Sequence, residues 1–334
     1  MSQPRVAIVG ATGAVGEELL RVLEERRFPL SELRLLASPR SAGRTVTFRG
    51  EAIEVEALDA SAAPAVDIAF FSAGADRSLL AADAFVRAGA LVVDNSSAFR
   101  MRDDVPLVVP EVNAHDLDEI PAGIVANPNC STIVIAVAIA PIHRAAGIRR
   151  AVVATYQAVS GAGAKGLAEL EHQRRALVAG EPLRAEAFAA PIVGNAIPRI
   201  GALGDDGLSE EERKIERELR KILGAPALRV HPTCVRVSVD RAHSAAVHLE
   251  LDRLIDREQM MAVLEAAAGV RCVEADLATP RNASGGDDVL VSRLRADRED
   301  GRRWDLWVTG DQLRKGAALN AVQIAEHWLD RRDG

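Results

Sequence analysis

The first 127 residues alternate short apolar runs with amphipathic stretches. "RVAIVG" is a β-branched run that ends in glycine, which reads as a strand and a turn. "EELLRVLEERRF" follows, with Leu19, Leu20, Leu23 and Phe28 at near-helical spacing. Leu33 to Ala37 reads as a second strand, and Ser78 to Ala88 as a helix. That helix lies between two further apolar runs, 66–74 and 90–97, each ending in small polar residues. Strands and helices in this order predict a parallel sheet with right-handed crossovers. Ligands of such sheets bind at the carboxyl ends of the strands.

The pattern changes near residue 127. Ile133 to Ile142 is a continuous apolar run of ten residues, too short to span a bilayer and suited to a buried helix. Residues 209–223 form a charged amphipathic helix with Ile215, Leu219, Ile222 and Leu223 on its apolar side. "LRVHPTCVRVSVDRAHSAAVHLEL" alternates as antiparallel strands do. Arg236 and His243 stand seven apart in it, on opposite faces of one straight strand, so a turn or bulge near Asp240 is needed if they share a site. The chain ends on a strand, a polar turn and a long helix. The expected class is α/β: a Rossmann-like parallel-sheet domain of residues 1–127 plus 317–334, the last helix packing back on it, and an α+β domain of residues 128–316.

The first turn carries chemistry. Gly10, Gly13 and Gly16 lie between strand and helix, where a dinucleotide's phosphates are bound. The spacing, G-x-x-G-x-x-G, differs from the usual G-x-G-x-x-G, so an ordinary glycine-rich turn is the competing reading. A ribose 2′-hydroxyl would call for an acid after the second strand. Here stand Ser38, Arg40 and Ser41, which suit a 2′-phosphate and so point to NADP rather than NAD. Ser72 and Gly74 fall at a strand end near the same place. Arg100, beyond the next strand, is read equally well as an anion ligand or as a solvated residue.

Composition narrows the class. The net charge of −7 argues against nucleic acid as the main partner. The three cysteines, at 130, 234 and 272, lack metal-ligand spacing and make a poor disulfide framework, so a metal-free protein of a reducing cytoplasm is expected. The first residues show no secretory signal and no run is long enough to cross a membrane, so no membrane partner is expected. Cys130, in "NPNCST" just before the apolar helix, is by itself more often core filler than nucleophile.

The segments "VGATGAVGEELL", "LLASPRSAG", "DNSSAFR", "VPEVN", "NPNCST", "QAVSGAG", "TCVRV" with "HS", and "RKGAALNAVQIAE" resemble, in order and spacing, the aspartate-β-semialdehyde dehydrogenase family along nearly the whole chain. The resemblance implies NADPH-dependent reductive dephosphorylation of L-4-aspartyl phosphate to L-aspartate 4-semialdehyde through a cysteine thioester. That reaction serves lysine, threonine, methionine and isoleucine biosynthesis. It also implies a homodimer, with the second domain catalytic and dimerising. By it, Cys130 is the nucleophile and His243 the general base. Gln157, Arg236 and Glu211 bind substrate, Arg236 gripping the α-carboxylate and Glu211 the ammonium. Arg100, Lys214 and Asn129 bind phosphate. The cofactor contacts are Thr12, Gly13, Ala14, Val15, Arg40, Ser41, Ser160, Gly161 and Gln312.

Four positions depart from the family pattern: Ser238 for proline, Ala242 for glycine, Arg199 for histidine and Gln312 for asparagine. None removes a reacting group. Ala242 bears on the backbone that aims His243. Two other readings stay open: a related acyl-phosphate or acyl-CoA reductase, and a non-catalytic nucleotide-binding paralogue. Arg236 with Glu211, suited to an amino acid's two charges, argues against the former. Cys130, Gln157, Arg236 and His243 together argue against the latter.

Overall fold

The structure, a computed structural model, describes residues 3–273 and 277–333. It divides into two compact units, Met1–Asn129 with Ala317–Gly334, and Cys130–Gly316.

The first unit runs β1 (Arg5–Val9), α1 (Ala14–Glu25), β2 (Glu32–Ala37), β3 (Thr45–Phe48), β4 (Glu51–Ala57), β5 (Ile68–Phe71), α2 (Ala75–Arg87), β6 (Leu91–Asp94), α3 (Pro110–Asn113) and β7 (Ile124–Ala126). The sheet order is β3-β4-β2-β1-β5-β6-β7. All pairings are parallel except β3 with β4. β1 lies inside the sheet, and Val6 to Val9 are fully buried, as a parallel strand covered on both faces requires. The final helix packs in this unit, where Leu319, Val322, Ile324 and Leu329 join Leu19 and Leu23 in one apolar core.

The β3–β4 hairpin was not anticipated from the sequence. Phe48 pairs with Glu51 across a two-residue turn whose members, Arg49 and Gly50, both have positive φ (49° and 82°). This is the backbone of a type I′ turn, which fits the twist of the flanking strands. Arg49 adopts it without the usual Asn or Asp. Its guanidinium donates to the carbonyls of Leu23 and Phe28, which holds the strained residue in place.

The second unit runs α4 (Cys130–Ala146), β8 (Ile148–Gln157), α5 (Gly163–Ala179), β9 (Ala196–Ile197), α6 (Glu210–Ile222), β10 (Arg229–Val237), β11 (His243–Leu251), α7 (Arg257–Glu265), β12 (Val270–Cys272), α8 (Pro280–Ala283), β13 (Val289–Ala296) and β14 (Arg303–Gly310). α9 (Leu319–Asp333) is the last helix. Ser131 to Ile142 of α4 are all buried, so the helix is enclosed on every side.

The sheet order here is β12-β13-β14-β11-β8-β10-β9. The alternating segment 228–251 does form two strands, but they do not pair with each other. β10 runs parallel to β8 on one side, and β11 runs antiparallel to β8 on the other. The chain between them passes over the carboxyl end of β8. Val159 donates to the Val239 carbonyl and Ser160 to that of Asp240, which staples the crossing in place. Arg236 and His243 thus reach one strand end from two neighbouring strands, and the facing problem of a single straight strand does not arise.

Candidate active site

Gly10 has φ +92°, and a Cβ there would stand 2.8 Å from the Ser72 backbone. A Cβ on Gly16 would stand 2.3 Å from the Gly10 carbonyl oxygen, so α1 lies tight against the turn. Gly13 is the N-cap of α1 and offers no side-chain cap, which leaves the first N–H groups of the helix open. Beside this turn is a cleft of about 290 Å³, lined among others by Thr12, Ser38, Arg40, Ser41 and Ser72. Thr12 Oγ1 donates to Ser41 Oγ at 3.3 Å. Arg40 is exposed and forms no ion pair or hydrogen bond among the described residues. An open helix N-terminus with an unspent guanidinium nearby fits a dinucleotide carrying an extra phosphate. Ala14, Val15 and Gly16 belong to the first turn of α1. Gly74 is the N-cap of α2. Arg77 also lines the cleft and was missed by the sequence reading. Its position four after Ala73, on the helix that follows β5, is the signal that identifies it.

Also in the first unit, Arg100 is buried and donates to the backbone carbonyls of Asn127 and Asn95, at 3.0 and 2.8 Å. Asn127 Nδ2 donates to Asn95 Oδ1 and Asn320 Nδ2 donates to Asn127 Oδ1. This network fixes the segment leading to the buried Asn129.

In the second unit, Cys130 is the first residue of α4 and is partly exposed. A helix N-terminus favours the thiolate. Gly316 leaves it room, since a Cβ there would lie 3.2 Å from the Cys130 Cβ. Cys234 is fully buried, and burial pushes its thiol far above the usual range, with Glu211 adding to the effect. It is a core residue.

Three predicted residues, Gln157, Glu211 and Lys214, meet where α6 packs on the sheet. Thr155 Oγ1 donates to Gln157 Oε1 at 3.0 Å, and Gln157 Nε2 donates to Glu211 Oε1 at 3.0 Å. Lys214 Nζ reaches the other oxygen of Glu211 at 3.4 Å. α6 is set for this by a capping box, in which Ser209 and Glu212 satisfy one another's backbone N–H groups. Glu212 Oε1 also accepts the Cys234 N–H at 3.0 Å, which docks the first turn of α6 on β10.

Arg236 is 6% exposed. Its Nη1 donates to the Ala158 carbonyl at 2.6 Å, and its guanidinium lies over the Phe188 ring. Burial pulls Arg236 below its usual value, while Cys130, Glu211 and Cys234 pull it back. His243 is 2% exposed, its Nδ1 accepts the Ala158 N–H at 3.0 Å, and its Nε2 has no hydrogen-bond partner among the described residues. A Cβ on Gly161 would stand 2.8 Å from Arg236 Nη1 and 3.1 Å from His243 Nε2. Glycine at 161 therefore keeps open the space that both groups border.

Gln312 is buried with both ends of its amide engaged: Oε1 accepts the Ala242 N–H and Nε2 donates to Ser160 Oγ. Ala242 has φ +72°, a region that favours glycine. Gln312 thus secures the strained residue next to His243. A cavity of about 410 Å³ is lined among others by Arg236, Phe188 and Arg199. Arg199 stood out in the sequence only as a departure from pattern, and the structure places it on the wall of this cavity.

Residues 5–120 match the family described as semialdehyde dehydrogenase, NAD binding domain, and residues 139–315 the semialdehyde dehydrogenase dimerisation domain. An aspartate-semialdehyde dehydrogenase of a Synechocystis species is 49% identical, covering 98% of each chain. One of Aquifex aeolicus is 47% identical, over 96% of this chain and 97% of the other. The crystal structure of aspartate semialdehyde dehydrogenase II of Vibrio cholerae complexed with ASA superposes with a TM-score of 0.96 at 47% identity, over 99% of each chain. The chain belongs to the semialdehyde dehydrogenase family.

Proposed function

We propose that the protein is an NADP-dependent, phosphorylating aspartate-semialdehyde dehydrogenase of the cytoplasm, and that in biosynthesis it forms the aldehyde from L-4-aspartyl phosphate. The observation that carries the reading is the buried Arg236, whose guanidinium borders, together with His243 Nε2, the space kept open by Gly161. The Synechocystis and Vibrio cholerae proteins carry the same activity in their names.

The residues divide the work by charge. Arg236 offers a rigid fork to the α-carboxylate, and Glu211 a carboxylate to the α-ammonium. Lys214 meets phosphate, and Gln157 orients the substrate carbon near the thiol. The Cys130 thiolate adds to that carbon, and His243 serves the oxygen that becomes anionic. NADP, when bound, supplies the hydride acceptor, and NADPH the donor in the opposite direction. Its adenosine end is assigned to the cleft of Gly10, Thr12, Arg40 and Ser41. The family resemblance assigns Ser160, Gly161 and Gln312 to the cofactor as well, while the Gln312 amide is engaged with Ala242 and Ser160. Phosphate attack on the thioester, or its expulsion in the reverse reaction, completes the turnover.

A charge-assisted hydrogen bond contributes roughly 1.5–3 kcal/mol. Arg236→Leu is therefore expected to cut kcat/KM for the aldehyde at least about tenfold, with little effect on phosphate saturation. Lys214→Leu is expected to weaken the phosphate dependence more than the aldehyde dependence. Steady-state kinetics with both substrates varied would read the contrast; identical patterns in the two variants would overturn the assignment.

Arg40→Ala is expected to raise KM for NADP much more than for NAD. Equal losses for both would remove Arg40 from the 2′-phosphate.

We also propose that a second copy covers the partly exposed face of the second unit's sheet, beside the patch where the Trp307 indole donates to the Ala278 carbonyl. There Val152, Ala154, Ala246 and Trp307 share a face with Tyr156, which is 38% exposed and whose ring lies 5.1 Å from that of Trp307. Apolar side chains beside polar ones such as His248 and Asp305, with a large aromatic ring left partly exposed, suit a partner surface. Sedimentation is expected to show a dimer that Tyr156→Glu with Trp307→Glu disperses; a dimer indifferent to both would place the interface elsewhere.

A further inference from the structure

We infer that Glu169 and Gln173, one turn apart on α5, are positioning residues for substrate recognition: they latch the segment 184–193 as a wall of the cavity that Arg236 lines, and so hold the Phe188 ring against the Arg236 guanidinium. The inference rests on the proposed assignment of Arg236 to the substrate's carboxylate and deepens it.

The segment needs a latch. Between Ala179, the end of α5, and Ala196, the start of β9, the described residues form no helix or strand. Their backbone groups have no ladder to join and turn to side chains instead. Glu169 and Gln173 are four apart on one face of the helix, and both are buried. Glu169 Oε2 accepts the N–H of Glu186, at 2.8 Å, and that of Ala187. Gln173 Oε1 accepts the N–H groups of Ile192 and Val193 at 2.7 and 3.0 Å. Gln173 Nε2 donates to the Arg184 carbonyl at 2.7 Å and to Glu169 Oε1 at 2.8 Å. The amide thus makes every bond its oxygen and its two hydrogens allow. The last of these bonds ties the two side chains to each other.

The latched segment carries the cavity wall. Ala187, Phe188 and Ala189 line the cavity of about 410 Å³ that Arg236 also lines. Phe188 follows directly after the two residues that Glu169 holds. Its ring centroid lies 5.8 Å from Arg236 Cζ. Gly166 of α5 makes the seat for that ring, since a Cβ there would stand 3.0 Å from Phe188 Cζ. The ring also packs against the small core of Val159, Leu170, Ile192 and Ile197. Past the latch, the Gly194 N–H donates to Ser238 Oγ at 3.3 Å, and Ile197 pairs with Arg236 itself. The guanidinium is therefore fixed by the Ala158 carbonyl and by the Phe188 ring together. A fork held in place binds a carboxylate with little further loss of rotamer freedom. Freeing the ring should thus weaken substrate binding more than it slows turnover.

The test exchanges the two partners. In Glu169→Gln two amide NH₂ groups meet, and in Gln173→Glu two carboxylates meet, so either change breaks the tie between them. The double variant, Glu169→Gln with Gln173→Glu, restores the tie with donor and acceptor reversed. It also keeps an acceptor for each latched N–H, and only the Arg184 carbonyl loses its donor. Full-length enzyme is assayed by NADPH formation with aspartate semialdehyde and phosphate varied. Each single variant is expected to raise the aldehyde KM about three- to tenfold, the order of one lost cation–π contact, with smaller changes in kcat and in the phosphate KM. The double variant is expected to recover most of that loss. Phe188→Leu is expected to raise the aldehyde KM by as much, and adding Glu169→Gln to it should raise it little further, because both changes act through one ring. Phe188→Leu leaves the latch intact, so it reads the ring's effect whether or not the single latch variants fold. A purely structural role would lower the melting temperatures and leave the aldehyde KM in place. That result, additive losses in Glu169→Gln with Phe188→Leu, or no recovery in the double variant would overturn the inference. An aldehyde KM unchanged in Arg236→Leu would instead show the substrate assignment to be wrong, and the inference would fall with it.

Discussion

The peptide group on either side of Ala158 holds the site together. Its N–H donates to His243 and its carbonyl accepts from Arg236, so one backbone residue orients the imidazole and the guanidinium at once. The residue lies just past the end of β8, where the flanking strands β10 and β11 deliver the two side chains. Both groups are buried polar atoms that would be costly to leave unpaired. Anchoring them to backbone rather than to other side chains leaves few rotamers open. It also leaves the faces that turn toward Gly161 unspent. The 238–242 crossing makes this possible, and it is held from two sides, by the Val159 and Ser160 N–H groups and by the Gln312 amide.

A second anchor works through charge. Glu211 is buried, yet it accepts from Gln157 and pairs with Lys214. Lys214 is partly exposed, so this ion pair adds little to stability. Its value is positional: the carboxylate stays oriented, with the ammonium of Lys214 at its edge. The capping box that starts α6 and the Glu212 bond to the Cys234 N–H set where that carboxylate stands. Folding energy and site geometry thus share the same residues. Loss of the Ser209 cap would cost about 1 kcal/mol and would loosen the turn that carries Glu211.

The sequence made some of this legible and hid the rest for identifiable reasons. The apolar runs of the first unit reveal a parallel sheet because such strands are buried on both faces and carry little else. The glycine turn could be read because Gly10 and Gly16 are positions where a Cβ would strike backbone. The β3–β4 hairpin escaped because Arg49 occupies a positive-φ position that Asn or Asp usually marks. Alternation in 228–251 reported which residues face inward, but it cannot say which strand lies alongside. For that reason the separation of Arg236 and His243 by β8 could not be foreseen. The roles of Cys130, Glu211 and Lys214 came from motif resemblance. Their local sequence alone suits a core thiol and a solvated helix face. The Ala158 anchor had no sequence signal at all, because a backbone N–H belongs to every residue but proline.

The central claim is that Cys130 carries the substrate as a thioester. Incubating the enzyme with aspartate semialdehyde and NADP, without phosphate, should stop the reaction after oxidation. Acid quenching and peptide mass spectrometry should then find an aspartyl group on the peptide containing Cys130, removed when phosphate is added before the quench. An adduct on Cys234 or Cys272, or none on any cysteine while NADPH is formed, would contradict the account.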